Sequence, residues 1–143
     1  MSFLSDVITF IRHYVDDTDE CNYSYTDDRL EALVYVSASY VNFDMNTEYT
    51  ISVSGRSISP TPDSLFANLV ALKSACLLVR SEQTSYSKMD FRVSDGPSTV
   101  DLKGAADKLK QVGDSICEQY ARALNRYLMG VGGYGILTPN SGV

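Results

Sequence analysis

The chain has no tryptophan, one histidine, three cysteines without a CxxC pair, and no cluster of lysine and arginine. Each scarcity closes off a class of chemistry. A zinc site made of Cys and His would have to gather its ligands around His13 from distant segments, so no metal is expected. A Cys–His nucleophile would have to join that same His13 to Cys21, Cys76 or Cys117, and none of the three has an activating neighbour in the sequence. An odd number of cysteines cannot all pair within one chain, and the expectation is of buried or inert reduced thiols. Without a basic patch interleaved with aromatics there is no surface to neutralise phosphates, which argues against a nucleic-acid grip.

Other absences concern membranes and cofactors. No apolar run approaches the roughly 18 residues that span a bilayer. The opening MSFLSDVITF carries Asp6 where a basic leader would be needed, so neither a membrane segment nor a cleaved signal peptide is expected. The glycine-rich GVGGYG follows a helical pattern, whereas a dinucleotide-binding loop follows a strand and opens a helix. Asp16, Asp17, Asp19 and Glu20 lack the glycine and the twelfth-position glutamate of a calcium loop. No catalytic residue, cofactor or enzymatic activity is therefore expected.

What remains is an ordinary core-forming composition. With 143 residues, 44% hydrophobic and 21% charged, the chain fits one globular domain that removes about two-thirds of its unfolded surface from water. Its net charge of -6 is concentrated. Residues 1–31 hold eight acids and two bases, while the remainder is balanced at ten of each. Such a segment reads as a solvated loop with acids at a helix start, where the helix dipole favours them.

The hydrophobic spacing sets out four helices. The first runs from Ser2 to about Tyr14 on Leu4, Val7, Ile8 and Ile11. After the acidic loop DDTDECNYSY, Thr26 is a good cap for a second helix with Asp27 and Asp28 in its first turn and Tyr25 stapled to Leu30. Its stripe is Leu30, Leu33, Val34, Ser37 and Val41, widened by Tyr35, Val36 and Tyr40, and it ends near Phe43. YTISVSGRSISP alternates apolar and polar residues around Ser54-Gly55, a hairpin signal. Thr61-Pro62-Asp63 opens a third helix, to about Ser85, that is apolar nearly all round and belongs at the centre of the domain. DFRVSDGPSTVD reads as a turn or a second small ribbon. The last helix starts near Ser98 to Asp101, with Leu102, Ala105, Leu109, Val112, Ile116, Tyr120, Leu124 and Tyr127 on its buried face. The fold class is mainly α: a four-helix bundle-like domain, residues 1–129, with a small β-hairpin and a glycine-rich apolar C-terminal tail, residues 130–143.

That tail is unusual. From Tyr127 to Val143 there is no charged side chain, yet Val131, Tyr134, Ile136 and Leu137 recur between glycines. A solubilising tail is normally charged or rich in Ser, Pro and Glu, so these four are candidate partner-binding residues.

The order of parts resembles the head-tail connector, or adaptor, proteins of tailed bacteriophage necks. The resemblance covers residues 3–129. It is carried by a short first helix, an acidic loop leading into YSYTDDRLEALV, a hairpin, the apolar PDSLFANLVALKSACLLV, a turn, and the long DKLKQVGDSICEQYARALNRYL with a loose tail. It implies a structural virion protein, made in the host cytoplasm, whose copies form a dodecameric ring between portal and tail. Such a ring extends the DNA channel and provides a docking platform. The partners implied are the portal protein, neighbouring copies of itself and a downstream neck or tail protein, with DNA passing through without specific binding. Asp16, Asp17, Asp19 and Glu20 become candidate channel-facing acids, because negative walls let DNA slide. The alternative is a small cytoplasmic helical regulator that binds a host protein through the same tail.

Overall fold

The computed structural model describes residues 2–92 and 98–131. It contains, in chain order, α1 (Phe3–Tyr14), α2 (Asp27–Met45), β1 (Thr50–Ser52), β2 (Ser57–Ser59), α3 (Ser64–Arg92) and α4 (Ser98–Val131). The chain is mainly helical, with one two-stranded antiparallel hairpin.

Local chemistry sets each start. Ser2 Oγ accepts from the Ser5 amide to cap α1, and Thr26 Oγ1 accepts from the Arg29 amide to cap α2. In α3 the cap is Asp63, whose carboxylate accepts from the Phe66 amide at 2.9 Å. The helix thus begins two residues later than the Thr61-Pro62 pair suggests. Asn46, in the left-handed region at φ 56°, terminates α2. In the hairpin Ile51 sits opposite Ile58, and both pack against the core from the same face.

The centre of the molecule is α3, which packs against each of the other helices. Phe66, Leu69, Val70 and Leu78 are fully or almost fully buried there. They meet Val7 and Ile11 of α1, Leu30, Val34 and Val41 of α2, and Tyr120 of α4 in one cluster. A second cluster, Ala75, Cys76, Val79 and Ile116, holds the upper part of α3 to α4.

Three expectations change here. Cys76 and Cys117 are not reduced thiols: they form a disulfide, with Cα atoms 4.9 Å apart, leaving Cys21 free and exposed. The antiparallel register of α3 and α4 brings together two residues 41 apart in sequence, which spacing along the chain does not reveal. The segment expected as a turn or ribbon is helical on both described flanks, through Arg92 and again from Ser98. Val112, expected on the buried face of α4, is 45% exposed, and Gly113 takes the contact position. A Cβ at Gly113 would lie 3.2 Å from Val79 Cγ1, so glycine is what lets the two helices approach so closely.

Two buried serines mark the limits of this packing. Ser37 Oγ and Ser74 Oγ have no hydrogen-bond partner among the described residues. Leu69 is almost fully buried, so Leu69→Ala should cost about 2–5 kcal/mol through lost transfer energy and a residual cavity. Ser74→Ala should be neutral or stabilising, because it removes an unsatisfied buried hydroxyl. Urea unfolding of both variants checks the pair; a loss below about 1 kcal/mol for Leu69→Ala would mean that this face of α3 is not core.

Candidate functional site

The acidic segment is organised by one cation. Arg12 lies on α1 and its side chain is almost wholly buried. One guanidinium nitrogen donates to Asp17 Oδ2 at 2.7 Å and to the Tyr25 carbonyl at 3.1 Å, and the other donates to Asp27 Oδ1 at 2.6 Å. The Tyr23 ring covers the planar face, its centroid 3.5 Å from Cζ. Asp17 in turn accepts from the amides of Ser24 and Tyr25. A fork with five fixed donors suits this arrangement as a single ammonium would not.

This geometry corrects the acidic set. Asp17 is 5% exposed and committed inward, so it does not face a channel. Asp16, Asp19 and Glu20 are exposed, and Asp19 accepts from the Cys21 amide. Asp28 and Glu31 are engaged by Arg56, from the hairpin turn. Among the described residues no group of three or more His, Cys, Asp or Glu side chains is placed to hold a metal ion. His13 is exposed, with Nδ1 3.0 Å from the Thr9 carbonyl.

The surface that stands out is on α2. Val36, Tyr40 and Phe43, at helical spacing, are exposed on α2, and together with Ser39 and Val53 of the hairpin turn they line an open groove of about 500 Å³. Phe43 is 84% exposed and Tyr40 52%. Val36 and Tyr40 were expected to widen the buried stripe, but only Tyr35 does so. A helix whose inner face is already supplied by Leu30, Val34, Ala38 and Val41 has no room to turn the others inward. The signal was legible: α2 carries apolar residues on two faces, more than one packing neighbour can cover.

The groove has a firm backing. Lys73 of α3 lies 5.2 Å from the Tyr40 ring and 5.1 Å from the Tyr120 ring. The Tyr120 hydroxyl donates to Asp44 Oδ2 at 2.6 Å, tying α4 to the residue that follows Phe43. Burial, then the hydrogen bond to Asp44 and its negative charge, push the Tyr120 hydroxyl well above its ordinary value. Tyr35 is raised mainly by burial and next by Glu31, with Arg56 opposing. Of the candidate partner-binding residues, Val131 ends α4, and Tyr134, Ile136 and Leu137 lie outside the described residues.

No protein-family model matches the chain, and it has no match among curated proteins or solved structures. The functional reading rests on the residues themselves.

Two outcomes follow from these contacts. Arg12→Met should cost about 3–5 kcal/mol, because it leaves Asp17 buried and uncompensated. Arg12→Lys should recover less than roughly half of that loss, since it restores charge without the fork. Chemical denaturation checks both, and full recovery by lysine would contradict the geometry. The tyrosines set an alkaline limit. With folded values raised above the unfolded value of 10.0, their contribution is fully present below pH 10 and is lost as pH rises beyond it. Tyr120→Phe should lower neutral stability by about 1–3 kcal/mol while flattening the fall above pH 10, as read from thermal melts across pH.

Proposed function

We propose that the chain is a structural subunit of a tailed-phage neck, a head-tail connector whose copies form a ring between portal and tail. It extends the DNA channel and offers a platform to the next neck or tail protein. The observation that carries this reading is the exposed Val36, Tyr40, Phe43 and Val53 surface on a braced helical domain. An apolar face of this kind, held by Lys73, Tyr120 and Asp44 behind it, suits assembly with other protein surfaces.

Two further features support it. The order of elements, a short first helix, an acidic loop, a capped second helix, a hairpin and two long helices, is the order on which the resemblance to phage adaptors rests. The exposed Asp16, Asp19 and Glu20 present like charge to any phosphate backbone passing them. The Cys76–Cys117 disulfide bears on the alternative, a cytoplasmic regulator. Disulfides are rare in reducing cytosol and persist on particles released from the cell, which favours the virion reading.

Co-expression with the portal protein of the same genome tests the proposal. Electron microscopy of the purified complex should reveal a ring of this chain stacked on the portal, and virions should contain it at the neck. A chain that stays monomeric beside purified portal and is absent from virions would overturn the reading.

A further inference from the structure

We infer that the Cys76–Cys117 disulfide is a redox-operated clamp on the distal α3–α4 pair, residues 80–92 and 98–112. Closed, it holds the two helices together; opened to two thiols, it lets that pair come apart while the rest of the domain stays folded. The inference goes beyond the connector reading and does not rest on it.

Position makes the bond a clamp. α3 runs about 20 Å past Val79, and α4 covers a similar length between Ser98 and Gly113. Along both stretches no described side chain is buried, although Leu109 packs partly against the small cluster of Ala75, Cys76, Val79 and Ile116. The other ties are ion pairs: Arg80 with Asp114 at 3.0 Å, both half-exposed, and Arg29 with Glu82 at 3.3 Å. Pairs open to water contribute little. The sulfur bridge, joining residues 41 apart in sequence, is therefore the strongest tie this part of the molecule has.

The same position keeps the effect local. The large cluster that joins Phe66, Leu69 and Val70 to α1 and α2 contains neither cysteine, so its packing does not depend on the bond. Cys76 is one of the four buried members of the small cluster, which leaves three others to hold the helices once the bond is gone.

The sulfurs are unequally covered. Cys76 is 7% exposed and Cys117 is partly exposed, so a thiolate from solution meets the Cys117 sulfur first. When the thiolate of a small-molecule thiol such as glutathione bonds to that sulfur, the protein S–S bond breaks. Its electron pair leaves on Cys76 Sγ, which takes a proton from water. A second thiolate then attacks the glutathione sulfur of the mixed disulfide and releases Cys117, which is protonated in turn. Two glutathione thiols are oxidised to one disulfide as the protein disulfide is reduced to two thiols, and oxidised glutathione drives the reverse.

The test uses the full chain carrying Cys21→Ser, which removes the exposed third thiol and its exchange reactions. Reduced glutathione in native buffer should convert the bond to two thiols, counted by mass after iodoacetamide treatment, and oxidised glutathione should restore it. On reduction, amide hydrogen exchange should speed up at least about tenfold in peptides from 80–92 and 98–112, and stay within about twofold in peptides from 30–41 and 66–72. Cys76→Ser/Cys117→Ser in the same background should show the fast pattern in either form of glutathione. If that variant does not fold, the reduced chain carries the comparison alone. A bond that glutathione cannot open without denaturant is a sealed staple, and that result would overturn the inference. Exchange that reduction leaves unchanged, or accelerates equally in both regions, would overturn it as well.

Discussion

Everything in this domain is arranged around a helix that cannot face water. From Phe66 to Val79, α3 presents apolar side chains on nearly every side, so each other element serves first as a cover for it. The lower half is enclosed by α1, α2, the hairpin and the end of α4, and the upper half by α4. This constraint explains why α4 follows α3 so closely, with Gly113 against Val79 and a disulfide at the next turn. It also explains why α2 is left with a spare apolar face. One side of α2 is taken up by α3, and of the other side only the edge near Val53 of the hairpin turn is approached by another described part of the chain.

The acidic loop shows how a concentration of like charge is made compatible with a fixed structure. Asp17 and Asp27 share one guanidinium, and Asp28 and Glu31 share another from the hairpin turn. The first is buried at Arg12 and Asp17 and solvent-facing at Asp27, and through Arg12 it ties α1 to the start of α2. The second is exposed, and its value is orientation of the hairpin more than stability. The residual charge, on Asp16, Asp19 and Glu20, is left outward.

Much of the architecture was legible in the sequence, because caps and periodicity act locally. Thr26 caps where residue type predicts, and the hairpin forms around Ser54-Gly55 where the alternation places it. What was hidden depended on register between distant segments. The pairing of Cys76 with Cys117, the choice of Gly113 over Val112 and the burial of Asp17 each require knowing which turn of one element faces which turn of another. The exposed groove was misread for a related reason. Val36 and Tyr40 fit a widened core stripe in a single-helix view, and only the placement of α3 decides which apolar face is used.

The disulfide has a mechanical consequence. Tension applied to the two ends of the chain can peel α1, α2 and the hairpin from one side and the last turns of α4 from the other, but it passes through the sulfur bridge and never reaches the connection between α3 and α4. The upper part of the molecule is thus a closed covalent loop under no load. A backbone cut within it would leave the two pieces joined, and that end would keep its shape while the other elements yield.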